Sequence, residues 1–190
     1  MDLGVQEVEH ALRSLGALLA SRRQHLDVAI VGGSALLLMG YSSRATQDVD
    51  VVGTVVDGEV VRTRELPEPV RVAVTEVGAA LGLGPTWLNL GPASLVDLGL
   101  PSGFTERAAV RRFDTLTILI ADRIDQIHFK LYAAADSGPH SKHFADLQVL
   151  GPSGEELMRA AAWCATHDPS PDFTHELDAV IATLGGTDDE

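Results

Sequence analysis

Two aspartates one residue apart, in Arg44-Ala45-Thr46-Gln47-Asp48-Val49-Asp50, have the type and spacing for chemistry. Side chains alternate along an extended chain, so Arg44, Thr46, Asp48 and Asp50 are expected on one face. The two carboxylates then stand about 7 Å apart at their Cα atoms, a span that metal ions bridge. Like charges this close repel. A divalent cation is the natural compensation, and hard carboxylate oxygens match Mg²⁺. The plain alternative is a solvated strand edge on which Arg44 pairs with Asp48.

Val31-Gly32-Gly33-Ser34 precedes this run. Two glycines let backbone approach a ligand closely, and the N–H groups that open a following helix suit a phosphate. The pattern is neither the three-glycine dinucleotide fingerprint nor a Walker motif, since no Gly-Lys-Ser/Thr follows. A double glycine after a strand is also an ordinary tight turn. Ser34 lacks the Gly-x-Ser-x-Gly setting of an activated nucleophile.

These residues need elements to hold them. Val8, Leu12, Leu15, Leu18 and Leu19 predict an amphipathic helix over 5–20. Leu26 to Val31 predicts a buried strand, Ser34 to Met39 a short helix stopped by Gly40, and Val49 to Val56 a second strand. Pro69 and the Gly82-Leu83-Gly84-Pro85 breaker bound a helix from Glu68 to Leu83. Trp87 to Leu100 fits no regular element. Ala109 to Ile120 predicts a hairpin turning near Asp114-Thr115. Four helices follow: Asp122 to Ala135, Ser141 to Leu150, Glu155 to His167 and Phe173 to Leu184. Ser137-Gly138-Pro139, Gly151-Pro152 and Asp168-Pro169 separate them. Trp87 and Trp163 sit at apolar spacings and are expected in the core. The pattern is an α/β (α+β) core over 1–120, then a helical subdomain over 121–190.

Strand, Gly-Gly-Ser, short helix and Asp-Val-Asp together set a phosphate cradle beside metal-binding carboxylates. Nucleotidyl transfer needs that combination: a metal on the triphosphate and backbone amides on the leaving pyrophosphate. The run GGSALLLMGYSSRATQDVDVV, Gly32 to Val52, resembles the DNA polymerase β-type nucleotidyltransferase superfamily. It is closer still to bacterial nucleotidyltransferases grouped with the toxins of AbiEii-like toxin–antitoxin systems. The resemblance implies a small mixed-sheet core, an NTP substrate and Mg²⁺. The tRNA 3′ end is the implied acceptor, and an antitoxin protein the implied partner.

Arg123 to Ala133 and Lys142 to Leu147 resemble the helical half of those proteins, where a lysine and a later aspartate complete the site. Carried over by position, these are Lys130, toward triphosphate or acceptor, and Asp146. The resemblance thus implies catalytic Asp48, Asp50, Lys130 and Asp146, with Asp48 and Asp50 on the metal. Gly32, Gly33, Ser34, Arg44 and Thr46 would lie along the nucleotide. Polymerase-type members draw a third carboxylate from a later strand. No acid here falls clearly at such a place, and Asp146 is the implied substitute. From spacing alone, Lys130 is a solvated lysine and Lys142–Asp146 a surface i,i+4 pair. His140 and His143 have no third ligand nearby and are expected to face solvent.

Composition narrows the partners. The chain has 190 residues, 45% of them apolar, a net charge of −13 and mean hydropathy of +0.12, which argues against disorder. Cys164 alone permits neither an internal disulfide nor a cysteine-rich metal site. Without a membrane-length apolar run or signal-peptide pattern, a cytoplasmic protein away from membranes is expected. Nucleic-acid binders usually present a basic surface, and this chain is acidic overall. From Glu155 to Glu190 the one basic residue is Arg159, whereas most lysines and arginines lie between Arg13 and Lys142. Two alternatives stand beside transfer to tRNA: a small-molecule (aminoglycoside-like) or protein acceptor, and a non-catalytic nucleotide-binding module.

Overall fold

Val8, Leu12, Leu15 and Leu19 recur at three- and four-residue intervals and form the buried face of α1 (Val5–Ser21). The computed structural model describes residues 2–138 and 140–185. In it the chain divides into two compact units, Met1–Asp122 and Arg123–Glu190.

The first unit is built on a six-stranded mixed sheet: β1 (Leu26–Val31), β2 (Val49–Val56), β3 (Glu59–Val61), β4 (Leu88–Asn89), β5 (Ala109–Phe113) and β6 (Leu116–Ile120). The order is β3-β2-β1-β6-β5, and β4 also pairs with β2. β1 runs antiparallel to β2 and parallel to β6. Alternate strand residues (Leu26, Val28 and Ile30; Val49 and Val51; Leu116, Ile118 and Ile120) join the leucines of α1 in one core. Burying each such side chain contributes about 1.5–3 kcal/mol. The hairpin turns at Asp114, which takes φ of 51°.

Some local features differ from the sequence expectation. The glycines of Gly32-Gly33 are the first residues of α2 (Gly32–Leu38), not a turn before it. β2 begins at Val49, where the valine run set it, so Arg44, Thr46 and Asp48 precede the strand rather than sharing its alternating face. Leu3 claims the backbone of Thr46 instead: the Leu3 N–H donates to the Thr46 carbonyl at 2.6 Å, and the Thr46 N–H donates back at 2.9 Å. The stretch that fitted no regular element holds β4 and a 3-10 segment, Gly91–Leu98. β4 is fixed from both sides. Trp87 is buried and its indole N–H donates to the Val74 carbonyl of α3 (Glu68–Ala80) at 2.9 Å; the Val49 N–H donates to the Trp87 carbonyl at 2.6 Å. A short helix, α4 (Phe104–Arg107), precedes β5.

The second unit is helical: α5 (Arg123–Ser137), α6 (Lys142–Leu150), α7 (Gly154–His167) and α8 (Pro171–Gly185). Pro139, of the expected breaker before α6, lies outside the described residues. The Ser141 hydroxyl caps α6, and Ser153 with Glu156 forms a capping box on α7. α5 packs against α6, α7 and α8. Trp163 is half-buried rather than in the core; it meets His128, Phe129 and Tyr132 edge-on and stacks against His167 at 3.9 Å. Burial pushes the Cys164 thiol up to about 12, so it behaves as an inert apolar group. Among the described residues no helix is long and apolar enough to cross a membrane.

Candidate active site

Asp50 lies in β2, paired with Val31 of β1 on one side and Asn89 of β4 on the other. This register sets it at the end of β1, where the chain turns into Gly32. Asp48 stands just before the strand, and both aspartates are half-buried. Asn89 joins them. Its Nδ2 donates to Asp48 Oδ2 and to Asp50 Oδ1, each at 3.2 Å. The amide orientation is set from behind, because Asn89 Oδ1 accepts the Gly91 N–H at 2.8 Å.

The glycines explain themselves against these residues. Gly32 has φ of 78°, a left-handed conformation, and a Cβ there would fall 2.5 Å from Asp50 Oδ2. A Cβ on Gly33 would fall 2.9 Å from Thr46 Oγ1. Thr46 Oγ1 in turn donates to the Asp48 carbonyl at 3.3 Å. The Gly-Gly step is therefore the contact surface for the carboxylate segment. Ser34 is sealed from solvent, and its hydroxyl has no hydrogen-bond partner among the described residues. Arg44 is exposed, in the irregular segment before β2, outside the strand face on which it was expected.

In the helical unit Lys130 and Asp146 are brought together. Lys130 Nζ lies 2.6 Å from Asp146 Oδ2, and their side chains are 5% and 3% exposed. Spacing alone made Lys130 a solvated residue and Lys142 the partner of Asp146. Instead α5 is buried on almost every side, Asp125 and Gln126 included, while Lys142 is exposed. A buried pair at this distance is strongly coupled, and losing one member strands the other in a poorly solvated place. Arg123 is anchored structurally. It donates to the carbonyls of Leu150 and Gly151 and pairs with Glu156 at 2.6 Å. The hydrogen bond from Arg123, and after it that from the Ser153 N–H, hold the Glu156 carboxyl down at about 2. His140 is exposed and His143 half-buried.

Sequence reasoning missed Asn89. A two-residue strand has no periodicity to detect, and the only local sign is Asn two residues before the Gly91 N–H that its side chain caps. Arginines of the first unit are engaged within the fold. Arg111 pairs with Glu9 at 2.6 Å and donates to the Leu38 carbonyl at the end of α2. Arg22 pairs with Glu76 at 2.5 Å.

Two carboxylates sharing one amide donor also suit a divalent cation. Their oxygens already converge on a positive dipole, and the half-buried setting admits water and substrate. Among the described residues no group of three His, Cys, Asp or Glu is placed to hold a metal.

The first unit is thus a mixed-sheet α+β core with one carboxylate on β2 and one just before it, beside a helix that opens on Gly32-Gly33. The model of the family described as nucleotidyltransferase of unknown function (DUF6036) matches residues 10–138, and the chain belongs to that family. The match takes in Gly32 to Asp50, Asn89 and Lys130 and ends before Asp146. No curated protein and no solved structure matches the chain.

Proposed function

We propose that this nucleotidyltransferase moves a nucleoside monophosphate from an NTP to an acceptor hydroxyl and releases pyrophosphate, with Asp48 and Asp50 as the metal-binding carboxylates. The observation that carries the reading is the convergence of those two carboxylates on one amide nitrogen beside Gly32. Bound Mg²⁺ would supply charge neutralisation on the triphosphate. Asp48 and Asp50 would hold it, and the bare Gly32 and Gly33 let Asp50 and Thr46 lie close against the start of α2. The acceptor oxygen forms its bond to the α-phosphorus as the bond to the leaving pyrophosphate breaks, and the hydroxyl proton leaves through the neighbouring carboxylates. Lys130 and Asp146 are assigned to the site by resemblance.

For the acceptor, the resemblance to AbiEii-like toxins favours the tRNA 3′ end, which would make the protein a translation-blocking toxin held by an antitoxin. A small-molecule or protein acceptor is the second reading. Arg22, Arg111 and Arg123 are all tied to internal partners, which shortens any basic path for RNA. Incubation with α-³²P-labelled NTPs and Mg²⁺, once with total cellular RNA and once with an aminoglycoside panel, decides between them. Label on RNA supports the first, and label on the small molecules the second. Absence of label on any acceptor, with no pyrophosphate released, refutes the reading.

A further inference from the structure

No helix or strand covers residues 41–48, and Ser43, Arg44, Ala45 and Gln47 are exposed. Asp48 ends this segment, so its position depends on whatever holds the chain just ahead of it. The restraint comes from a residue far away in sequence. Leu3 is 1% exposed and belongs to the main core of the unit. It forms an isolated antiparallel bridge with Thr46, in which each backbone N–H donates to the other's carbonyl, at 2.6 and 2.9 Å. Thr46 passes the restraint on. Its hydroxyl donates to the Asp48 carbonyl at 3.3 Å, in space that a side chain on Gly33 would fill. On the other side of Leu3, the Gly4 carbonyl accepts the Val8 N–H at 3.0 Å, which joins this short strap to α1.

We propose that Leu3 is a positioning residue of the cation site: anchored in the core, it fixes Thr46 and through it the segment that carries Asp48. The inference rests on the reading that Asp48 holds a divalent cation. Leu3 acts through Thr46 and not on the ion itself. With the strap loosened, the segment samples other conformations, and an ion must order it on binding. The coupling is reciprocal, so a bound ion also holds the strap closed by the same factor.

The test uses the full-length protein without nucleotide. Mn²⁺ affinity is read by electron paramagnetic resonance and folding by circular dichroism. Leu3→Asp expels the side chain from the core, and Leu3→Pro removes the N–H that bonds Thr46. Each should weaken Mn²⁺ binding about tenfold, the scale seen when a group that orients a metal ligand is lost. Val70→Ala opens a cavity in the same core from α3; it should lower the melting temperature and leave Mn²⁺ affinity at the wild-type value. In wild type, saturating Mg²⁺ should slow amide exchange at Leu3 and Thr46, followed by nuclear magnetic resonance, by the same order. Folded Leu3 variants with wild-type affinity, or a loss in Val70→Ala as large as theirs, overturn the inference; binding lost in Asp48→Asn then leaves the metal reading standing. If neither Leu3 variant folds, the exchange measurement decides, and a Leu3 amide indifferent to bound Mg²⁺ overturns the inference. A wild-type protein that binds no Mn²⁺, or an Asp48→Asn variant that binds it equally well, overturns both.

Discussion

Asp50 and Asp146 each face a side-chain nitrogen, and the nature of that nitrogen separates the two regions. Asp146 meets the ammonium of Lys130 at 2.6 Å with both side chains buried. Asp50 meets the amide of Asn89 at 3.2 Å, half-exposed, and shares it with Asp48. The ammonium cancels a charge, whereas the amide bridges two charges and cancels neither. A buried, neutralised pair has a structural explanation even without a ligand. Two carboxylates side by side repel, and the amide that bridges them adds no charge. Function is therefore argued from the strand site, and the helical pair must be tested against its structural role first.

The largest expected effect sharpens that contrast. Asp48→Asn and Asp50→Asn should each lower the rate of label transfer by about 10²–10³-fold or more, because each removes a charged oxygen aimed at the ion that stabilises the transition state. Both proteins should remain folded by circular dichroism. Wild-type rates in both would remove the strand site from catalysis.

Lys130→Ala and Asp146→Ala should behave differently. Each strands a buried charge and should destabilise the protein by about 3–5 kcal/mol in urea unfolding. Replacing both, as Lys130→Met with Asp146→Leu, should recover much of that loss, because no charge is left without its partner. A double variant that folds well yet transfers no label would show that the pair acts in the site as well as in the fold. If each single alanine variant is as stable as wild type, the contrast drawn here between the two regions fails.

A smaller effect is expected at Arg123. Arg123→Ala should cost about 1–3 kcal/mol, since the carbonyls of Leu150 and Gly151 and the Glu156 carboxylate lose a charged donor. It should also change the response to acid. The folded protein holds Glu156 near 2, below its ordinary value of 4.5, so the wild-type contribution is present above pH 4.5 and is lost as the pH falls toward 2. Unfolding free energies measured across that window should fall more steeply for wild type than for Arg123→Ala. Parallel curves would contradict the assignment.

Much of this contrast was legible in the sequence. The Val49 to Val56 strand, the hairpin about Asp114 and the four C-terminal helices follow from apolar period, glycine and proline positions and caps, which are local signals. Asp48 and Asp50 stood out because like charges two positions apart in an extended run share a face and repel. Asn89 was not legible, since its meaning lies in the register of β4 against β2, a pairing far apart in sequence. Nor was the burial of Lys130, because the helix that carries it has apolar and polar residues buried alike. The reach of Arg111 to Glu9 and Leu38 is likewise a tertiary fact that no charge count contains.

In the proposed function Asp48 and Asp50 are gathered for a cation and its nucleotide at a cost to the unliganded fold. The most direct test is the thermal midpoint of wild type and Asp48→Asn, measured in EDTA and again with Mg²⁺ and a non-hydrolysable NTP. Ligand at 100 times its Kd stabilises a protein by about 2.7 kcal/mol, enough for a midpoint shift of several degrees. Wild type should rise by that order on adding ligand. Asp48→Asn should match or exceed wild type in EDTA and show little rise. An Asp48→Asn protein less stable than wild type in EDTA, together with a wild type indifferent to Mg²⁺ and nucleotide, would contradict it.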